Sequence, residues 1–539
     1  MFTAAWFTQW NEEHAASQRQ AARDYERLYG LFLHGDVDEQ DFRRRRTEFG
    51  AATRPVAGRV LLRLAIPLGR LSPHQLRVAA DLAERFTPGK HFHVTPRQNL
   101  NFYDVPLEDS PAFLHAAANA GLGLAPAAGN GPCNVVVPAG CGLLPGEAFD
   151  PSFAAALLQR RLGGDPELRG LPGPFKVGFW RSLYDDESEP GNDLTAVPVR
   201  RTVGTRQLRG FRLLLGGGLG PNPKVEALWK SFVEPEELYA HVRAVALHFK
   251  QGCQDSRPGL RLRDLLRAEG WPRFQEDLAQ RLDEQAKDRK GLFFHRLPLG
   301  PPLGSSGALP AWLHGFAVPM PAQGYFLVKG QPLGGMLQAA AAQDLASLIE
   351  RYGQGELRVT PRQQLWIPGI GEPNLLAAYQ ELQRLGLAGS FLGSFCACPG
   401  SGLCPRGGLD TMALGRQVLE SLKKGLGADL GRATAGLRLG ASACGNGCGR
   451  HRSADLGLEA CLVERQGRTD AQVRVFAPRP GGQGLSEAVG ALPMRDLDKL
   501  FTPLLEAYGA SGAPDLASFL RTVAGFEALR EAMGRAACP

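Results

Sequence analysis

At 539 residues, with 44% apolar and 21% charged side chains, the chain is long enough for about three or four domains and has the balance of a globular protein rather than a disordered or fibrous one. Its net charge of +7 is mild and scattered, so no nucleic-acid partner is expected, while an acidic protein or an anionic cofactor suits its sign. No stretch approaches the ~20 uninterrupted apolar residues of a membrane span, and ten cysteines that include tight clusters rather than spread pairs fit a reducing cytoplasm.

Met1 to Trp10 lack the basic start and apolar core of a secretory leader, and Glu12 and Glu13 follow, so no leader is expected. Tyr25, Leu28, Leu31 and Phe32 recur at helical spacing, so residues 1–54 read as a helical extension that includes the run Arg43 to Arg46. Four successive arginines fit a solvated helix face, and their sign also suits cofactor carboxylates or an acidic partner.

Beyond this extension the chain repeats itself. His93-Val94-Thr95-Pro96-Arg97-Gln98-Asn99-Leu100 is echoed 265 positions later by Arg358-Val359-Thr360-Pro361-Arg362-Gln363-Gln364-Leu365, and Pro67-Leu68-Gly69 recurs as Pro332-Leu333-Gly334 at the same displacement. Each copy reads as a strand (Val60 to Ile66; Gly324 to Val328), a helix (Pro73 to Phe86; Leu337 to Tyr352) and a strand carrying the Thr-Pro-Arg-Gln motif. That order predicts a half-domain that packs against its twin.

Between the copies, the apolar run Phe211 to Leu215 leads into Gly216-Gly217-Gly218-Leu219-Gly220, a loop able to seat an anionic group. The charged stretch Asp255 to Lys290 reads as solvent-facing helices joining the copies. In the second copy, Cys398 and Cys404 are followed by Cys444-Gly445-Asn446-Gly447-Cys448-Gly449-Arg450. Four thiolates suit an iron-sulfur cluster or a structural zinc, and the glycines, which permit close backbone approach, favour the bulkier cluster. Cys133 stands 265 positions before Cys398 and reads as its counterpart in the first copy; Cys141, Cys253, Cys396, Cys461 and Cys538 read as ordinary thiols.

Taken together, the two Thr-Pro-Arg-Gln motifs, Pro174-Phe175-Lys176, the Gly210 to Leu219 run and the two cysteine pairs make the chain resemble the nitrite and sulfite reductase family, from about residue 55 to about 490. The resemblance implies siroheme and a 4Fe-4S cluster held by Cys398, Cys404, Cys444 and Cys448, with Cys448 bridging cluster and siroheme iron. It implies Arg97 and Lys176 as the catalytic pair that holds the anion and delivers protons. Siroheme carries eight carboxylates, so cationic donors are expected around it: Arg97, Arg212, Arg362 and Arg450, with Gln98, Asn134, Gly216, Gly217, Gly218 and Asn446 completing the pocket.

The family's anion site usually has four basic residues. Here Cys133 and Pro174 stand where two of them are expected, and His93 replaces a further arginine, which leaves His91, His93 and Arg181 as candidates to compensate. The implied function is six-electron reduction of sulfite to sulfide or nitrite to ammonia. The alternatives are a precorrin-3B synthase-like enzyme or a non-catalytic siroheme and iron-sulfur redox protein. With no P-loop and no dinucleotide fingerprint, electrons are expected from a reduced ferredoxin or a flavoprotein. The fold class implied is mixed α/β (α+β). Ferredoxin-like half-repeats at 55–125 and 315–390 pair into one domain, and two α/β domains, 126–314 with its helical linker and 391–539, close around the cofactors.

Overall fold

The computed structural model describes residues 4–124, 130–183, 188–253, 260–286, 315–389, 391–465, 468–482 and 484–537. Helix Pro73–Phe86 shows how local sequence sets an element. Ser72 Oγ accepts from Gln75 N at 3.2 Å while Gln75 Oε1 accepts from Ser72 N at 3.0 Å, a reciprocal cap, and Pro73 pre-sets the first turn. Leu76, Ala79, Ala80 and Ala83 then fall on one buried stripe. Its twin Ala339–Tyr352 has no side-chain cap and buries Ala342, Leu345, Ala346 and Ile349 instead. The two helices pack on each other, and one continuous apolar core runs through both half-repeats.

The half-repeats are joined by exchange. The first sheet orders Ala51–Thr53, Arg59–Ala65, Asn99–Pro106 and His91–Val94, and then takes Met336–Gln338 from the second copy as its edge. The second sheet orders Ala317–Pro319, Tyr325–Gly330, Leu365–Gly371 and Leu357–Val359, and takes Arg70–Leu71 from the first copy. Each donated strand caps an edge that would otherwise present unpaired backbone groups. Both follow a tight turn in the left-handed region, Leu68 and Gly69 (φ 58° and 66°) and Gly334 and Gly335 (φ 53° and 76°). The sequence match that equates Gly69 with Gly334 is therefore one residue out, because the second copy has lost a residue between the helix and the motif.

Two further sheets repeat a second architecture. One orders Val177–Phe179, Leu194–Val203, Arg206–Leu215 and Ala227–Val233; the other orders Ser394–Ala397, Arg438–Ser442, Leu456–Arg465, Arg468–Ala477 and Glu487–Pro493. Each begins with parallel strands, continues into an antiparallel hairpin of two ten-residue strands and ends on a seven-residue antiparallel edge strand. Helices cover one face of each and build its core. The fold is thus a duplicated α/β structure, as the repeat predicts.

The N-terminal helix Ala4–His34 lies on helix Ser110–Asn119, with Tyr25 Oη and Ser110 Oγ 2.7 Å apart. In the arginine run, Arg43 and Arg44 are solvated and pair with Glu39 and Asp41, whereas Arg46 is buried over the Phe42 ring. Helices Leu262–Glu269 and Trp271–Ala286 are not merely solvent-facing, because Leu262, Leu265, Leu266, Phe274 and Leu278 enter the core. No helix among the described residues is long and apolar enough to cross a membrane.

Candidate active site

The Thr-Pro-Arg-Gln motifs lie in turns, not on strands. Residues 95–98 link His91–Val94 to Asn99–Pro106, and 360–364 link Leu357–Val359 to Leu365–Gly371. Proline removes a ladder donor, and Gln98 and Gln363 sit at φ 53° and 64°, where a non-glycine residue breaks a strand. The strain is held by side-chain bonds. Gln98 Nε2 donates to Val137 O and Val359 O, both at 2.7 Å, and its Oε1 accepts from Val137 N at 3.0 Å. Gln363 Nε2 donates to Val94 O at 2.9 Å and Ala397 O at 3.0 Å, and its Oε1 accepts from Ala397 N at 2.8 Å. Each glutamine therefore staples three segments, and its polar atoms are spent inside the protein, on backbone and, for Gln363, also on the His93 ring at 2.9 Å.

The same bonds settle the cysteine correspondence. Val137 matches Ala397, which puts Pro138, not Cys133, opposite Cys398. Cys133 N donates to Phe175 O and Ser394 N to Leu437 O, each at 2.8 Å, so the counterpart of Cys133 is Ser394. One extra residue in the first copy between these anchors defeats a fixed displacement.

Cys398 follows strand Ser394–Ala397, and Cys444 and Cys448 follow its parallel neighbour Arg438–Ser442, so the carboxyl ends of adjacent strands bring them together. A Cβ at Gly449 would lie 1.7 Å from Ala441 O and 2.9 Å from Cys398 N, so only glycine lets this loop turn back on the strand. Burial pushes the Cys398 thiol up to about 11, and Cys448 and Cys444 act on it in the same direction; Cys444 and Cys404 likewise act on Cys448. The four thiols thus converge, but no three of their sulfurs lie within 4.8 Å of one another. A tetrahedral zinc with sulfurs at ~2.3 Å needs them roughly 3.8 Å apart. The spacing suits a cluster, which is larger than one ion.

Cys448 is solvent-accessible and faces a cationic wall. Although water reaches it, the surrounding protein partly desolvates its thiol and pushes it up, an effect that Lys176 opposes. Burial, reinforced by Arg261 and Arg97, holds Lys176 down to about 8, and burial with Arg450 and Arg261 nearby brings Arg97 to about 10. Arg97 is fixed by donating to Asn192 Oδ1 and Asn134 O, both at 2.6 Å. Asn134 Nδ2 donates to Ile66 O, Arg97 O and Gln98 O, so it fixes the motif turn. Arg450 Nη1 donates to Glu189 Oε2 at 3.1 Å, and Arg362 donates to the other Glu189 oxygen and to Ser453 O. Burial opposes ionisation of Glu189, but Arg362, Arg450 and Arg438 outweigh it and hold its carboxyl below the usual range.

The glycine run packs against protein. A Cβ at Gly216 would meet Leu266 at 2.7 Å, at Gly217 the Glu226 carboxyl carbon at 2.4 Å, and at Gly218 Arg263 Nη1 at 1.9 Å. Its end touches the cysteine loop, since a Cβ at Gly447 would lie 2.5 Å from Leu219 O and one at Gly220 would lie 3.4 Å from Asn446 O. Arg212 alternates with core residues Phe211 and Leu213, which puts it on the face away from the helices. His91 and His93 do not compensate for the missing cations. His91 bonds Gly89 O at the surface, and His93 is buried against Gln363, its pKa lowered to about 4 chiefly by burial. Arg181 lies beside Glu147.

Sequence reasoning missed Arg261, Arg263, Asp193, Glu189 and Glu226. Arg261 Nη2 donates to Asp193 Oδ2 at 2.5 Å, and the same oxygen accepts from Lys176 N at 2.7 Å. The charged stretch after Asp255 thus turns two arginines inward. The signal was present in its amphipathic spacing, with Leu262, Leu265 and Leu266 on a buried stripe. Arg97, Arg212, Arg261, Arg263 and Arg450 each keep a buried Nε with no hydrogen-bond partner in the protein. Each such charged donor costs about 1–3 kcal/mol or more to bury unpaired. Four of them, Arg97, Arg261, Arg263 and Arg450, neighbour one another and fit a polycarboxylate.

A duplicated ferredoxin-like core with α/β domains, a thiolate quartet and an arginine-rich wall defines a cofactor-binding iron-sulfur protein. The pattern described as "Nitrite/Sulfite reductase ferredoxin-like half domain" matches residues 54–120 and 319–385, and "Nitrite and sulphite reductase 4Fe-4S domain" matches 128–286. The chain belongs to the nitrite and sulfite reductase family. The 128–286 match contains none of the four clustered cysteines, which lie in the second copy of the same architecture. A chloroplastic ferredoxin–nitrite reductase of Zea mays is 27% identical over 84% of this chain and 79% of its own length. A sulfite reductase [ferredoxin] 2 of Mycolicibacterium paratuberculosis is 24% identical over 75% and 70%. The solved structure of Mycobacterium tuberculosis NirA shares the fold with a TM-score of 0.75, 21% identity and 94% coverage of each chain.

Proposed function

We propose that the protein reduces a small oxyanion, nitrite or sulfite, by six electrons at a siroheme coupled to a 4Fe-4S cluster. The observation that carries this reading is solvent-accessible Cys448, convergent with three further thiols and facing Lys176, Arg97 and Arg261. Cys398, Cys404, Cys444 and Cys448 hold the cluster, and the unpartnered donors of Arg212, Arg261, Arg263 and Arg450 meet siroheme carboxylates. When bound, these groups supply an open iron position and electrons one at a time.

The chain's own residues bind and protonate. Arg97, locked by Asn192 and Asn134, orients the anion, and Lys176, with a pKa near 8, is charged at neutral pH yet able to give up a proton. Arg261, anchored on Asp193, supplies a third cation in place of those missing at Cys133 and Pro174. Three cations offset by one carboxylate leave a net charge of about +2, which accommodates a monoanion or a dianion, and the names of the plant relatives favour nitrite. Those names also support a reduced ferredoxin as donor.

The test is turnover of each anion with a reduced viologen dye by siroheme-loaded protein. Lys176→Met is expected to lower kcat/KM for nitrite about 100-fold, the size of effect seen when one preorganised charge donor is removed. Unchanged kinetics would remove Lys176 from the reaction.

A further inference from the structure

The duplication builds the anion pocket twice. Lys176 N donates to Asp193 Oδ2 at 2.7 Å, and Arg438 N donates to Asp455 Oδ2 at 2.9 Å. Arg261 closes on Asp193 at 2.5 Å, and Arg521 closes on Asp455 at 2.8 Å. With Gln98 matched to Gln363 and Cys133 to Ser394 by their backbone bonds, the trio Arg97, Cys133 and Lys176 maps onto Arg362, Ser394 and Arg438.

The second trio encloses a cavity of about 150 Å³, lined also by Lys329, Thr360 and Glu189. A water's share of liquid volume is about 30 Å³, so the space takes a small oxyanion and is too small for a tetrapyrrole. Arg362 and Ser394 are 6% and 7% exposed, yet Arg362 Nη1 and Ser394 Oγ have no hydrogen-bond partner in the protein. Two orphaned donors on one cavity, one from the motif turn and one from strand Ser394–Ala397, are independent signs of a missing acceptor. Arg438 is paired with Asp455 at 3.0 Å and Glu189 already serves Arg362 and Arg450, so the two orphaned donors are what calls for an anion, with Lys329 and Arg438 lending a cationic lining. Pro138 occupies the position equivalent to Cys398, so this side cannot assemble the thiolate quartet.

We propose that this cavity is a second, redox-silent site for a small oxyanion of nitrite, sulfite or sulfate size, bound through Arg362 Nη1 and Ser394 Oγ. The site does not depend on the redox reading, because its donors belong to the protein alone. Glu189 also connects it to the first pocket, since Arg362 and Arg450 grip opposite oxygens of that carboxylate.

The test soaks selenate into crystals of the purified full-length protein and reads selenium anomalous density, which reports both pockets separately whether or not siroheme is bound. A peak between Arg362 and Ser394 is expected in the wild type, with lower occupancy in Ser394→Ala and none in Ser394→Asp, whose carboxylate takes the anion's place. In solution, equilibrium dialysis with labelled sulfate should give one equivalent more bound to the wild type than to Ser394→Asp. No peak in the wild type, a peak undiminished in both variants, or a cavity filled by a side chain or a cofactor carboxylate would overturn the proposal.

Discussion

Gln98 and Gln363 hold the left-handed turns that aim the motif arginines, and the energetic reason is local. Truncating Gln98 strands the Val137 N–H and the carbonyls of Val137 and Val359 in a dry junction. Gln98→Ala is therefore expected to cost roughly 2–5 kcal/mol in denaturant unfolding. Glu226 makes a different prediction. Burial raises its carboxyl to about 7, against the bonds that Gly191 N and Asn192 N donate to it. A folded pKa above the unfolded one gives stability that is complete below about pH 4.5 and lost as the pH rises through 7. Glu226→Gln, a mimic of the protonated acid, should match the wild type near pH 4.5 and exceed it by roughly 3 kcal/mol at pH 8. Parallel stability curves would contradict the assignment. The sequence marked Gln98 as a cofactor residue because its motif context was visible and its backbone partners, contributed from 39 and 261 positions away, were not.

At the scale of elements, the exchanged strands tie the half-repeats together. Gly335 stands at φ 76°, and a Cβ there would lie 2.3 Å from Val94 O, a backbone atom that cannot step aside. Gly335→Ala should lower the melting temperature by several degrees while leaving a single transition, because the two sheets share one core. Two separate transitions would mean that the copies fold independently. Helix Pro73–Phe86 was legible to the residue, since Ser72, Pro73 and Gln75 spell its start. The exchange was not, because strands of two and three residues, Arg70–Leu71 and Met336–Gln338, are too short to show a period of two. The motif turn was misread as strand because its apolar flanks, Val94 and Leu100, suggested continuity, while Pro96 and the left-handed Gln98 interrupt it.

Across the whole molecule, the site is assembled from both copies: cysteines from the second, Arg97, Lys176 and Arg261 from the first, and Glu189 joined to Arg450 and Arg362 between them. The cysteine quartet could be read from spacing and glycine content, since those residues are close in sequence. The third cation could not, because Arg261 reaches Lys176 through Asp193, and only the fold brings those three together. Cys448→Ala should retain the fold, since that thiol is exposed, while losing the cluster. Chain and iron content by mass spectrometry and metal analysis check it. The most direct measurement of the central claim is the absorption spectrum of anaerobically purified protein, made alongside siroheme synthesis and titrated with nitrite and then sulfite under a reductant. Siroheme bands that shift with nitrite as the dye is oxidised are the predicted result. Protein that carries a cluster but takes up no siroheme, or siroheme whose bands respond to neither anion, would contradict it.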